Sequence, residues 1–301
     1  MTRADAACPP PGVDDSDGAS VRQILEVEPV AEGVFRNRYG EGNGRRASGS
    51  QVLAQSFMAA AATVAPERVP HALHAVFLES ARSEEAVQYE VAIDRDGGSF
   101  SQRCVTARQH GRTVMRADLS FKVPERGPEH QIALGRDVPA PEGLRNLFEI
   151  VPEHRDRFPN NASAFLRRAN RFDPRPLQPE RMFGARAGEP RMDFWIRALG
   201  ELGDEPRVHY GAFVYLTDYM VTTPITVMHV DNWTDNRFMY TTLNHALWFH
   251  RSLRADDWLL LACESPALGN GRGLTRGDYY DRAGTLVASF AQEMLFRGRQ
   301  V

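Results

Sequence analysis

The stretch QVLAQSFMAAAATV, residues 51–64, is the clearest helix of the sequence. Its larger apolar side chains recur at the spacing of one helix face, at Leu53, Phe57, Ala60 and Val64. The run of alanines at 59–62 favours close packing of this helix against a sheet, and Ser50 is the predicted N-cap.

Short runs typical of β-strands follow the helix, at residues 71–78, 86–94, 99–109 and 113–121. The segments Arg95-Asp96-Gly97-Gly98 and Gln109-His110-Gly111-Arg112 between them have the composition of hairpin turns. Residues 21–122 are therefore predicted to form one unit, a long helix followed by an antiparallel meander.

The same order of elements returns later in the chain, which indicates an internal repeat. Residues 208–220 are a helix candidate, and strand-like runs follow at 258–265, 272–280 and 284–296. His245-Ala246-Leu247 opens a strand as His71-Ala72-Leu73 does in the first half. We expect two units of the same topology, 21–122 and 183–301, whose sheets join edge to edge.

The two remaining segments differ from the units in composition. Residues 123–182 are rich in proline and charge and are predicted to be a connector with some helix. Residues 1–20 lack the apolar core of a signal peptide, and their proline, aspartate, glycine and serine content predicts a disordered tail.

Composition argues against several functional classes. The net charge of −3 gives no general electrostatic reason for binding nucleic acid or an anionic membrane, and no apolar run is long enough for a membrane helix. The three cysteines form no CxxC pair, so a disulfide framework or a metal site is not expected and a reducing cytoplasm fits best. The segment GEGNGR (40–45) lacks the Gly-Lys-Ser/Thr of a P-loop, and no GxSxG nucleophile motif occurs.

Three polar residues interrupt apolar patterns in the second half. Asp218 is predicted to lie in the middle of an apolar helix, and Gln292 shares a strand face with Phe290 and Met294. Ser265 shares a strand face with Leu261 and Cys263. Each is either a buried polar group with structural partners or part of a site, because an unpaired buried polar group is destabilising.

After the tail, nearly the whole chain resembles the acyl-CoA thioesterase II family, whose fold is an α+β tandem double hotdog. The resemblance depends on the order and spacing of several motifs: GSQVLAQSFMAAAATV (49–64), HALHAVFL (71–78), RDGGSFSQRCVTARQ (95–109), FWIRA (194–198), YLTDY (215–219), NHALWFH (244–250), ESPALGNGRG (264–273) and LVASFAQE (286–293). It implies an enzyme of lipid metabolism that hydrolyses acyl-CoA to a carboxylic acid and CoA without a cofactor, as a cytoplasmic homodimer or tetramer.

The resemblance also implies roles for individual residues. Asp218, Ser265 and Gln292 would hold the water that attacks the thioester, with Asp218 as general base. Independently of the resemblance, backbone amides at a helix N-terminus can stabilise the developing oxyanion, and the segment Gly49-Ser50-Gln51 is the candidate.

Two further positions concern substrate binding. Arg272 is a candidate for the CoA phosphates, although arginine is frequent in this chain and typical of solvated surfaces. The chain has Glu79-Ser80-Ala81 where the family often has Arg-Pro-Gly after Phe-Leu, so the edge of the acyl site is expected to differ.

Two other functions remain open from the sequence. One is a biosynthetic hotdog enzyme, such as a thioesterase, dehydratase or cyclase, that acts on a carrier-protein thioester. The other is a non-catalytic acyl-CoA-binding protein. Retention of all three polar residues favours hydrolysis over the biosynthetic alternative.

Overall fold

The computed structural model of the protein describes residues 14–15, 19–43, 46–157, 170–184, 188–230 and 237–299. Its described residues are organised around one 12-stranded sheet and two central helices. No helix within these ranges is both long and apolar enough to cross a membrane.

The first half contributes six strands to the sheet: β1 (Val27–Ala31), β2 (Val34–Asn37), β3 (Val69–Phe77), β4 (Gln88–Asp96), β5 (Phe100–Gln109) and β6 (Arg112–Lys122). A short helix α1 (Val21–Ile24) precedes them, and the long helix α2 (Gly49–Ala61) lies between β2 and β3. The predicted turn between β5 and β6 is present: His110 and Gly111 have φ of 51° and 73°, as a tight two-residue hairpin requires.

The second half contributes six more strands: β7 (Phe172–Pro176), β8 (Arg191–Ala198), β9 (Phe238–Phe249), β10 (Leu259–Gly269), β11 (Arg272–Asp281) and β12 (Leu286–Gly298). Its described helices are α3 (Leu147–Ile150), α4 (Pro206–Thr217) and α5 (Thr223–His229), with 3₁₀ turns at Pro141–Gly143, Val151–Arg157 and Pro179–Phe183.

The strand order across the sheet is β7-β8-β10-β11-β12-β9-β3-β6-β5-β4-β2-β1, and neighbouring strands are antiparallel. From the centre outward, both halves place their third, sixth, fifth, fourth, second and first strands in turn. They therefore share one topology, and β3 pairs with β9 to join them edge to edge. The predicted tandem arrangement of helix and wrapping sheet is confirmed.

Helices α2 and α4 pack against each other on the inner face of the sheet. A methyl group built on Gly211 of α4 would lie 2.5 Å from the sulfur of Met58 on α2, so any larger residue at this crossing would require the Met58 side chain to move. Leu53 and Phe57 of α2 and Phe213 of α4 are fully buried between the helices and the sheet. This packing brings the N-terminus of α2 beside the C-terminus of α4.

Details of the predicted helices and boundaries need correction. Helix α2 begins at Gly49 with Ser48 at the N-cap position, so Ser50 lies inside the first turn and is not the cap. The division of the chain at 122 and 183 stays a prediction, and strand β7 lies inside the segment assigned as connector.

The predicted tail, residues 1–20, lies largely outside the described residues. Within it, Asp14–Asp15 pair with Tyr39–Gly40, and Ser20 caps helix α1 through a capping box with Gln23. Ser20 is thus part of the first unit and not of a disordered tail.

Candidate active site between two helix ends

Asp218 is the residue at which helix α4 ends. It occupies the C-cap position, and Met220, with φ of 62°, then turns the chain out of the helical path. The sequence places Asp218 in mid-helix, and the structure corrects this. Its carboxylate faces the N-terminus of α2, where a methyl group built on Gly49 would lie 3.4 Å from Asp218 Oδ2.

Two hydroxyl groups hold the Asp218 carboxylate. Ser50, in the first turn of α2, donates to Oδ2 at 3.1 Å. Thr242, on β9, donates to Oδ1 at 3.1 Å. Each oxygen therefore has a donor from a different half of the chain, which fixes the plane of the carboxylate.

A polar chain continues from Thr242 into the core. The Gln292 amide donates from Nε2 to the Thr242 hydroxyl at 3.1 Å, and its Oε1 lies 2.6 Å from His245 Nδ1. An amide oxygen only accepts, so His245 is protonated at Nδ1. Its Nε2 lies 3.2 Å from the hydroxyl of Thr217. The donors His245, Gln292 and Thr242 thus point successively towards the carboxylate.

The surroundings perturb both titratable groups. Burial raises the pKa of the Asp218 carboxyl above the usual range of an aspartate, although His245 and the donors from Ser50, Thr242 and Gln292 oppose that shift. Burial lowers the pKa of His245, although the Asp218 carboxylate opposes this shift, so the imidazole is neutral at neutral pH. The site therefore combines a basic carboxylate with a neutral histidine.

Asp218 and Thr242 lie in the wall of a cavity of about 330 Å³. The cavity has an apolar side formed by Val52, Phe77, Val114 and Met294. Its edge includes Glu79, Ser80 and Ala81, the three residues at which the sequence departs from the expected Arg-Pro-Gly. The carboxylate is therefore open to a small molecule and has an apolar surface beside it.

A buried charged cluster ties the loop before α2 to helix α4. Glu41 lies 3.1 Å from the guanidinium of Arg171, and both side chains are 2% exposed. Tyr215 and Tyr219 also donate to the Glu41 carboxylate, at 2.9 and 3.1 Å. Because these tyrosines lie on either side of Asp218 in sequence, the cluster fixes the distance between the two helix ends at the site.

The structure brings together only two of the three residues predicted to hold the water. Asp218 and Gln292 meet through Thr242, but the Ser265 hydroxyl donates to the backbone oxygen of Leu274 at 2.8 Å. Ser265 lies on β10, two strands from Gln292 on β12, a separation of about 10 Å at the usual strand spacing. The structure therefore does not bring the Ser265 hydroxyl to the Asp218 carboxylate, which the Thr242 hydroxyl reaches instead.

The residues predicted to bind substrate divide into two groups. Gly49 lines the cavity, and Ser50 binds Asp218. The Gln51 side chain donates to the backbone oxygen of Tyr39 at 2.5 Å, which anchors the preceding loop. Arg272 pairs with Glu293 at 2.9 Å on an exposed surface, and its role in substrate binding stays a prediction.

Thr242 and His245 are the residues that sequence reasoning missed. Alternation counted back from His245 directs Thr241, not Thr242, to the inner face of β9. An irregularity in the pairing of β9 with β12, between Thr242 and Asn244, reverses this. The signal available in the sequence was a hydroxyl residue, Thr242, three positions before His245 in TTLNH (241–245). Among the described residues, no three His, Cys, Asp or Glu side chains lie close enough to hold a metal ion.

The protein is a double hotdog protein, because two units of the same topology share one sheet and Asp218 lies where their helices meet. Comparison with solved structures gives the same fold. The acyl-CoA thioesterase II TesB2 from Mycobacterium marinum superposes with a TM-score of 0.75 at 30% identity, over 93% of this chain and 99% of that one. A conserved hotdog protein from Alicyclobacillus acidocaldarius, 18% identical, superposes with a TM-score of 0.73 over 93% of this chain and 98% of that one, which shows the fold alone.

Sequence comparison then identifies the family. Models described as the acyl-CoA thioesterase N-terminal and C-terminal domains match residues 40–122 and 141–296. Human acyl-coenzyme A thioesterase 8 is 31% identical over 96% of this chain and 91% of its own length. Acyl-CoA thioesterase 2 of Haemophilus influenzae is 30% identical over 91% of this chain and 96% of its own length. The chain belongs to the acyl-CoA thioesterase II family.

Proposed function

We propose that Asp218 is the general base of this enzyme and that Thr242 and Gln292 position it. As a member of its family, the chain is a hydrolase of acyl-CoA thioesters. The substrate is an acyl-CoA, and the products are a carboxylic acid and CoA.

The observation that carries the proposal is the setting of the Asp218 carboxylate. It faces a cavity with an apolar wall, and hydroxyls of Ser50 and Thr242 fix both of its oxygens. Burial raises its pKa, which makes the carboxylate a stronger base than an exposed aspartate. An oriented, basic carboxylate beside an apolar surface is suited to removing a proton from a water molecule next to a bound acyl group.

The reaction needs no covalent nucleophile, because a thioester carbonyl is electrophilic. Asp218 takes a proton from water while the water oxygen bonds to the thioester carbon. The carbonyl oxygen becomes an oxyanion, and the carbon–sulfur bond then breaks. The protonated Asp218 returns its proton to the departing CoA thiolate, so the enzyme is restored after each turnover.

The N-terminus of α2 is the proposed oxyanion site. The first amides of a helix have no intrahelical acceptor and lie at its positive end. Gly49 belongs to this turn and lines the cavity, and its amide and that of Ser50 are proposed to donate to the developing oxyanion. The acyl group is proposed to lie along Val52, Phe77 and Met294.

A double-mutant cycle tests the proposed unit. Asp218→Asn and Gln292→Ala are each expected to slow thiol release from acyl-CoA, and the double variant is expected to be no slower than Asp218→Asn alone, since Gln292 acts by holding Thr242 against the base. Multiplicative losses in the double variant would show that Gln292 acts independently of Asp218.

We also propose that the enzyme is a cytoplasmic homodimer or tetramer. Apolar side chains on the sheet, including Val76 (50% exposed), Ile93 (59%) and Trp248 (38%), support association through its outer face. The free thiols Cys104 and Cys263 fit a reducing compartment. Light scattering at micromolar concentration tests the assembly, and a monomeric mass would contradict it. Activity recovered outside the cytosolic fraction of cells would contradict the location.

A further inference from the structure

The two halves of the chain are related by an approximate two-fold axis, which gives the active site a counterpart. Leu73 of β3 lies opposite Leu247 of β9, and each is the last residue of a His-Ala-Leu motif. The axis therefore passes between these two leucines. The active site lies where the end of α4 meets the start of α2, so the counterpart lies where the end of α2 meets the start of α4.

The pairing of the strands identifies the residues that replace the polar site residues there. Asp218 is the C-cap of α4, and Ala62 is the C-cap of α2. Leu247 pairs with Phe290, and Leu73 pairs with Leu119.

Counting onward and backward from these pairs completes the correspondence. Gln292 lies two residues after Phe290, and Phe121 lies two residues after Leu119, so Gln292 and Phe121 occupy corresponding positions. Thr242 lies three residues before His245, and Arg68 lies three residues before His71, so these two residues also correspond. The counterpart thus has alanine, phenylalanine and arginine in place of aspartate, glutamine and threonine, so the position of the proposed general base is lost.

A cavity nevertheless persists at this second position. Its volume is about 470 Å³, which is within the usual range of small-molecule sites. Phe57, Val64, Phe121 and Tyr210 contribute apolar surface, and Pro206 takes the place that Gly49 has in the active site. The second cavity has therefore kept room for an apolar chain while losing the groups for hydrolysis.

Arg68 in the wall of this cavity has unused hydrogen-bonding capacity. Its Nη2 donates to the backbone oxygen of Gly97 at 2.6 Å, which holds the side chain in place. Its Nη1 is buried and has no hydrogen-bond partner among the described residues. Asp96 is the nearby carboxylate on β4, and it is bound by Arg103 at 3.0 Å. At the cavity edge, Arg207 is paired with Glu205.

We propose that this second cavity binds a fatty carboxylate anion, the product class of the reaction, without catalysing any reaction. The carboxylate pairs with the guanidinium of Arg68, and the alkyl chain lies among Phe57, Phe121 and Tyr210. A guanidinium matches a carboxylate in charge and geometry. The product class of the enzyme therefore has a binding site separate from the active site.

Calorimetric titration with dodecanoate tests the proposal. The full chain is first saturated with the non-hydrolysable thioether S-dodecyl-CoA, so that the active-site cavity is occupied. One further dodecanoate per chain is then expected to bind. Arg68→Gln is expected to weaken that binding roughly tenfold or more, because a hydrogen bond to a charged group is lost. Dodecanol binding and the hydrolysis rate without added carboxylate are expected to remain unchanged in Arg68→Gln.

Two more variants make the result decisive. Arg145→Gln, a matched change at an exposed arginine paired with Glu153, is expected to leave dodecanoate binding unchanged. Ala61→Trp fills the cavity from helix α2 and is expected to abolish dodecanoate binding. This variant provides an independent test if Arg68→Gln does not fold. The proposal is overturned if no dodecanoate binds beside the thioether, or if neither folded variant of the cavity alters that binding.

Discussion

Thr242→Val is the change that isolates the hydroxyl linking Gln292 to Asp218. Valine keeps the branched shape of threonine, so the strand and the cavity wall are preserved. The change removes the 3.1 Å donor to Asp218 Oδ1 and the 3.1 Å acceptor for Gln292 Nε2. The carboxylate then keeps Ser50 as its hydroxyl donor from the other side.

The size of the effect follows from the type of hydrogen bond that is lost. A hydrogen bond to a charged group contributes about 1.5–3 kcal/mol. If the lost bond orients the base in the transition state, kcat falls by roughly tenfold to 150-fold. The buried Gln292 amide is also left without an acceptor, which lowers the free energy of unfolding by about 1–3 kcal/mol.

Steady-state thiol release from acyl-CoA measures kcat and KM, and urea unfolding measures stability. Ser265→Ala is the matched control, since it removes a buried hydroxyl that binds the backbone oxygen of Leu274 and not the site. We expect Ser265→Ala to keep kcat close to that of the wild type. If Ser265→Ala loses turnover while Thr242→Val keeps it, the assignment of the hydroxyl to Thr242 is refuted.

Other predictions concern pH and the buried charges. Because Asp218 must be ionised and burial raises its pKa, kcat/KM is expected to rise with pH through a pKa above the usual aspartate range, and a pH-independent acid limb would contradict this. Ser50→Ala removes a donor to the charged form, so this limb is expected to move to higher pH. The raised pKa also means that the folded state binds the Asp218 proton more tightly than the unfolded state. The contribution of Asp218 to folding stability therefore falls as pH rises from the ordinary pKa of an aspartate to the raised pKa. Asp218→Asn is expected to raise Tm at pH 7 and to leave Tm unchanged at a pH below the ordinary aspartate pKa. Glu41→Gln removes the carboxylate 3.1 Å from the buried Arg171 guanidinium and is expected to cost about 3–5 kcal/mol in urea unfolding, whereas Glu28→Gln at an exposed pair with Arg36 is expected to cost at most about 1 kcal/mol.

Periodicity in the sequence predicts the repeated units and part of the site. Helix α2 and the hairpin strands have regular apolar patterns, and Asp218 and Gln292 are recognisable because they interrupt such patterns. Strand β1 was not predicted, because Val27–Ala31 is largely exposed and contains a proline. Short edge strands bury too little to show an alternating pattern.

The separation of Ser265 from Asp218 has a different physical origin. Alternation correctly assigns Ser265 to the buried side of its strand, where it is 6% exposed. The predicted meander already places β11 between β10 and β12, but alternation alone does not show how far a side chain on β10 lies from one on β12. Thr242 was missed because a single irregularity in the pairing of β9 shifts which residues face inward. The distances between side chains on non-adjacent strands and the irregular pairing both arise from packing over long distances in sequence.

The rate of thiol release by Asp218→Asn, measured together with the affinity for a thioether analogue of acyl-CoA, tests the central claim most directly. Asparagine keeps the size of the side chain and removes the base. We predict that kcat falls by roughly 10²–10⁴, the usual contribution of general-base catalysis, while the folded variant binds the thioether about as tightly as the wild type does. A folded Asp218→Asn protein that hydrolyses acyl-CoA at the wild-type rate would contradict the account.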